Sequence, residues 1–119
     1  MTAVVGCAYA ALMLNTCPAA TVAAPIEIVW GLLTTPAGYG SWVDARVERV
    51  APPGPAAPGQ EVILRGRRPG RRWTMRMTIE RVDAATGSFE FRAELPLGIR
   101  VQERISCATV AGGTRVQFG

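Results

Sequence analysis

Two carboxylates are the first candidates for chemistry in this chain. In "IRVQERISC" the alternation that turns Val101 and Ile105 toward a core turns Glu103 the same way. A carboxylate on an apolar face must find a partner or take up a proton. Glu103 therefore reads as a polar anchor for a bound molecule or as an acid catalyst; a β-bulge or a wet rim position is the structural alternative. Asp44, two residues after Trp42, could hold a ligand hydroxyl or simply open a strand. Little else can react. There is no histidine, which removes the commonest general base and metal ligand together. Ser41, Ser88 and Ser106 have no histidine to activate them. Cys7, Cys17 and Cys107 are odd in number and contain no C-x-x-C pair. They suggest neither a disulfide framework nor a zinc knuckle, and read as small buried hydrophobes in a reducing, cytoplasmic setting. With no phosphate loop, nucleophile elbow or metal-ligand spacing, no cofactor and no metal are expected.

The net charge is +4, and all 13 basic residues are arginine. Five of them fall in "RGRRPGRR", Arg65 to Arg72, and the other eight are outnumbered by the nine acids. The positive excess thus sits on one short segment. It could meet phosphate or an anionic surface. No groove-reading helix or stacking platform accompanies it, so nucleic-acid binding is not expected, and a solvated hairpin tip is the plain reading. Arginine without lysine, beside abundant alanine and proline, suits a GC-rich bacterial genome.

The elements that must position these groups follow from periodicity. At 119 residues the chain makes one domain. Residues 1–14 read as an apolar extension, too short to span a bilayer and without the positive start of a secretory signal, so stable membrane insertion is not expected. The domain is expected over 15–119, with a first strand near Asn15. Pro25 suits the first position of a helix, and Ile26, Val29, Trp30 and Leu33 make one apolar face at i, i+3, i+4, i+7. Ile28 and Leu32 widen that face, which predicts burial on more than one side. Pro36 ends the helix, and "AGYGSW" predicts a second short helical turn carrying Tyr39 and Trp42. From Val43 the period changes to two. "VDARVERV", "EVILRGR", "RWTMRMTIERV", "SFEFRAEL", "IRVQERISCATV" and "TRVQF" are separated by Pro/Gly-rich breaks, which predicts an antiparallel meander with one apolar and one charged face.

The order strand, helix, helical turn, long meander carries Ala24-Pro25, Val29-Trp30, the Pro36/Tyr39/Trp42 group, Pro58-Gly59 and Gly113-Thr114-Arg115. In this it resembles the START/Bet v 1-like helix-grip superfamily (SRPBCC, polyketide cyclase/dehydrase-like). The resemblance implies an α+β fold: a curved antiparallel sheet of six or seven strands gripping helices, with two short helices between strands 1 and 2. It also implies a long C-terminal helix, which is not found before the sequence ends at Gly119; the domain is expected to be truncated there. An apolar cavity between sheet and helices is implied, lined by Trp30, Leu33, Tyr39, Trp42, Val62, Leu64, Trp73, Met75, Met77, Phe89, Phe91, Val101 and Glu103. Each of those residues taken alone is also explained as plain core.

Three functions follow. The first is binding of a small hydrophobic or amphipathic molecule (lipid, polyketide or aromatic metabolite). The second is a cofactor-free cyclase or dehydratase using the same cavity, with Glu103 or Asp44 moving a proton. The third is an incomplete domain that needs a partner, or a homodimer covering the apolar sheet face.

Overall fold

The computed structural model describes residues 19–67 and 73–119. The expected extension 1–14, the start of a strand near Asn15 and most of the arginine-rich segment fall outside those residues. Strand β1 (Ala19–Val22) leads into helix α1 (Ile26–Leu33) and a 3-10 turn (Pro36–Ser41). Six strands follow: β2 (Ala45–Ala51), β3 (Glu61–Gly66), β4 (Thr74–Asp83), β5 (Ser88–Glu94), β6 (Arg100–Val110) and β7 (Gly113–Phe118). All seven strands form one curved antiparallel sheet in the order β1-β7-β6-β5-β4-β3-β2. This is the expected meander, with β1 closing onto β7.

Two bulges bend the sheet. Register shifts between Val47 and Arg49 in β2, and between Ile79 and Arg81 in β4. In each case two apolar residues lie three apart, Val47/Val50 and Ile79/Val82, with a Glu-Arg pair between them. Strict alternation would carry one of each apolar pair to the wet face. The extra residue keeps both inside and increases the local twist.

The inner face holds the core: Val62, Leu64, Met77, Ile79, Phe89, Ala93, Ile105 and Cys107 are buried, with Val62, Ile79 and Phe89 wholly so. The outer face, charged as expected, carries cross-strand ion pairs. Arg92 reaches Glu80 at 2.8 Å, Arg65 reaches Glu48 at 3.2 Å, Arg76 reaches Glu61 at 3.7 Å and Arg81 reaches Glu90 at 3.8 Å. Such exposed pairs contribute about 0.2–1 kcal/mol each, so they fix register more than they supply stability.

Pro25 sits at the N-cap of α1, one place before the expected position, with extended backbone. Val29 and Leu33 are buried on the sheet side. Ile28 and Leu32 correct the expectation of a helix buried on several sides: they are 57% and 45% exposed. At about 100° per residue they point away from the Ile26/Val29/Trp30/Leu33 face, and no described element packs there. The helix stops through its own threonines. The Thr35 hydroxyl donates to the Gly31 carbonyl at 2.7 Å, satisfying one that the helix end leaves open, while the Thr34 hydroxyl, at 2.8 Å, shares the Trp30 carbonyl with the Thr34 N–H.

Glycine and threonine on β7 seat the entry to α1. A Cβ on Gly113 would fall 1.9 Å from the Val22 carbonyl oxygen, so only glycine lets β1 and β7 approach here. The buried Thr114 hydroxyl donates to the Ala24 carbonyl at 2.8 Å.

Candidate functional site

The inner face divides into two parts. Toward the β4–β5 and β6–β7 turns, α1 lies over it, and Ile79, Phe89, Ile105 and Cys107 are sealed. Burial pushes the Cys107 thiol above its usual pKa, as expected for an inert, protonated side chain. Toward the β5–β6 hairpin the face is only partly covered: Val62, Leu64, Met77 and Ala93 remain buried, but their neighbours do not. Trp73, Met75, Phe91, Val101 and Glu103 are half-buried there.

Register places these residues in rows. Val62, Met77, Ala93 and Val101 form one row across β3 to β6; Ile79, Phe91 and Glu103 form the next. β5 and β6 pair without interruption from Ser88/Ser106 to Glu94/Arg100. No bulge therefore turns Glu103 outward: it stands on the inner face directly opposite Phe91. Phe91 lies 6.0 Å, ring to ring, from the buried Phe89. The neighbourhood is an apolar shelf with one carboxylate, which can hold an oily body and accept one hydrogen bond from it.

The other expected lining residues fall into distinct surroundings. Val62, Leu64, Met77 and Phe89 are buried and form the floor beneath the shelf. Trp73 folds across the end of β3: a Cβ on Gly66 would lie 2.2 Å from its indole Nε1. Trp30 is half-buried and Leu33 buried on α1. Tyr39 is buried, and its hydroxyl donates to the Leu33 carbonyl, so its one proton is already engaged in tying the 3-10 turn to α1. Desolvation pushes the Tyr39 phenol far above its usual pKa. Trp42 meets Tyr39 edge-on at 5.3 Å and is 46% exposed. Asp44 precedes the edge strand β2, whereas Glu103 lies on β6, four strands away, so the fold does not bring the two carboxylates together as a pair.

Two shallow hollows open to solvent elsewhere. One, of about 170 Å³, lies between Ile26, Glu27 and Trp30 of α1 and Ala84 and Gly87 of the β4–β5 turn. The other, of about 230 Å³, runs along β5 and β6 past Arg92, Glu94, Arg100 and Gln102. Neither is an enclosed chamber. Among the described residues no group of histidine, cysteine and carboxylate side chains could hold a metal ion.

Sequence reasoning passed over Gln60, which is buried and organises the β2–β3 loop. Its side-chain amide donates to the Pro52 and Gly54 carbonyls at 2.8 and 3.1 Å and accepts from the Ala57 N–H at 3.3 Å. Positions 52, 53, 55 and 58 are proline and have no N–H to give. One glutamine supplies donors that the loop backbone lacks, and a lone polar residue before a strand was the available signal.

A curved seven-strand sheet, helix α1 and a 3-10 turn over one end, and an apolar inner shelf are now established. The sequence pattern of one protein family, described as polyketide cyclase / dehydrase and lipid transport, matches residues 18–119. The chain belongs to this family. Solved structures share its fold. DynU16, of the dynemicin biosynthetic locus, superposes with a TM-score of 0.64 at 18% identity, over 85% of this chain and 34% of that one. Ara h 8.0201 gives 0.66 at 14% identity, covering 85% and 71%. The solution structure of ChR145 from Cytophaga hutchinsonii gives 0.61 at 17%, covering 85% and 70%. This family member thus spans about a third of DynU16. No curated protein matches the chain.

Proposed function

We propose that the protein binds a small hydrophobic or amphipathic molecule on the partly covered region of its inner face. The observation that carries this reading is the partly buried shelf of Met75, Phe91 and Val101 with Glu103 set among them. Core packing alone would put no carboxylate among these side chains. Val62, Leu64, Met77 and Phe89 are buried beside the shelf. The ligand's apolar body would be held by area removed from water, and Glu103 would orient a hydroxyl or amine. Membership of a family that includes lipid transport supports the same reading.

Glu103 also favours a second reading. A carboxylate at the centre of an apolar shelf could move a proton during cyclisation or dehydration of a polyketide-like substrate, the barrier falling mainly because the shelf holds a reactive conformer. One experiment separates the two. A fluorescent fatty-acid analogue is titrated into the full chain and into Glu103→Gln. Binding that weakens a few-fold in Glu103→Gln, and is competed by unlabelled fatty acids, supports the binding role. Failure of any apolar probe to bind overturns it. A polyketide-like substrate that is turned over by the wild type and not by Glu103→Gln supports the enzyme.

A further inference from the structure

The hairpin between β5 and β6 turns through Leu95, Pro96, Leu97, Gly98 and Ile99, a run with no charge and no polar side chain. The Leu95 N–H donates to the Ile99 carbonyl at 2.7 Å and closes the loop. At its apex Leu97 is 96% exposed, and Ile99 is 50% exposed. Leu97 stands at φ 68°, ψ 23°, in the left-handed region that suits glycine or asparagine and penalises leucine. Neither packing nor backbone preference accounts for a leucine there. A side chain placed against both local preferences, and pointing into water, is placed for something outside the molecule.

Arginines flank the hairpin. Register sets Arg76, Glu94 and Arg100 abreast on the outer face beside the hairpin, with Arg92 and Gln102 in the next row. Arg76 and Arg92 also reach Glu61 and Glu80; Arg100 makes no ion pair among the described residues. The open hollow of about 230 Å³ lies between Arg92, Arg100 and Gln102. β3 ends and β4 begins at this same end of the sheet, where exposed Arg67 donates to the Gly40 carbonyl at 2.7 Å. The acids at this end are Glu94 and Asp44, with Glu61 and Glu80 paired to Arg76 and Arg92 and Glu103 on the inner face.

We propose that this end of the sheet docks on an anionic lipid surface. Pro96, Leu97 and Ile99 enter the acyl boundary, while Arg100 and Arg67 meet headgroup phosphates. The shape decides against a protein partner: a protruding apex offers far less than the roughly 800 Å² per side that a stable protein interface uses. An acyl layer closes around any apolar projection, and a collar of arginine suits its anionic surface. Docking in this sense is peripheral; no helix among the described residues is long and apolar enough to cross a membrane. The proposal does not rest on the ligand reading, because the apex and the inner shelf are different residues. The partly covered shelf lies at the same end, so a docked molecule would present it toward the bilayer.

The test is co-flotation of the full chain with phosphatidylcholine vesicles, plain or mixed with phosphatidylglycerol, at low and raised salt. The expected result is binding to the mixed vesicles, little binding to plain ones, and loss as salt rises. Leu97→Asn should lower the bound fraction about tenfold. It should keep or raise the melting temperature, since asparagine tolerates the left-handed backbone. Arg100→Gln should weaken binding a few-fold. Absence of binding to mixed vesicles overturns the proposal, as does undiminished binding by Leu97→Asn. Equal binding to both lipid compositions overturns the anionic assignment. Self-association abolished by Leu97→Asn, without vesicle binding, would make the apex a contact between copies and overturn docking. Probe titration without vesicles reads the inner shelf separately, so the two proposals can fail independently.

Discussion

Phe89 and Phe91 are neighbours on one strand and one face, and they should respond to truncation in opposite ways. Phe89 is fully buried, and Phe→Ala at such a site costs about 3–5 kcal/mol. Phe91 is half-buried opposite Glu103. Part of its ring meets water, so Phe91→Ala should cost less than at a sealed site, about 1–2 kcal/mol. A ligand lying on that ring would cover about 40 Å² of it. At roughly 25 cal/mol per Å² this is about 1 kcal/mol, or near fivefold in affinity. Urea unfolding followed by fluorescence gives the stabilities, and titration with an apolar fluorescent probe gives the affinities. Phe89→Ala should lose most of the stability of a small domain, and Phe91→Ala should lose affinity while staying folded. If Phe91→Ala unfolds as readily as Phe89→Ala, or keeps full affinity, Phe91 is ordinary core and the division of the inner face is wrong.

Other outcomes follow from particular contacts. Gly66→Ala puts a methyl against the Trp73 indole; the ring must move by more than 1 Å or so to regain contact distance. The expected cost is about 1–3 kcal/mol, with a red-shifted tryptophan emission. Gln60→Leu removes three side-chain hydrogen bonds from the β2–β3 loop. It should cost about 1–3 kcal/mol and speed hydrogen exchange at the Ala57 amide. Tyr39 has a folded pKa raised by burial, against about 10 when unfolded. Its protonated state therefore supports the fold below about pH 10, and that support is lost as pH rises toward the folded value. Tyr39→Phe should be less stable at neutral pH by about 1 kcal/mol, the net worth of a buried hydrogen bond, with the gap closing in alkali as read from urea midpoints.

Much of the fold was legible because the sheet's period is simple. Six runs with alternating apolar residues became six strands within a residue or two, and the parity of β6 alone turned Glu103 inward. The proline at 36 marked the end of α1. Three things were not legible. The bulges at Val47/Arg49 and Ile79/Arg81 break the alternation; the three-residue apolar spacing was present, but a strict period of two passes over it. The exposure of Ile28 and Leu32 depends on what packs behind α1, which lies beyond any local pattern. The apex at Leu97 has an apolar composition that reads as an ordinary break. Only its left-handed backbone and its exposure show that leucine is out of place there.

The most direct test of the account is an NMR titration of the full chain with a soluble medium-chain fatty acid, following backbone amides and methionine methyls. The account expects saturable shifts at Met75, Phe91, Val101 and Glu103, with Thr74, Arg76 and Arg92 on the opposite face of the sheet unmoved. Shifts confined to that opposite face, or no saturable shift at all, would contradict it.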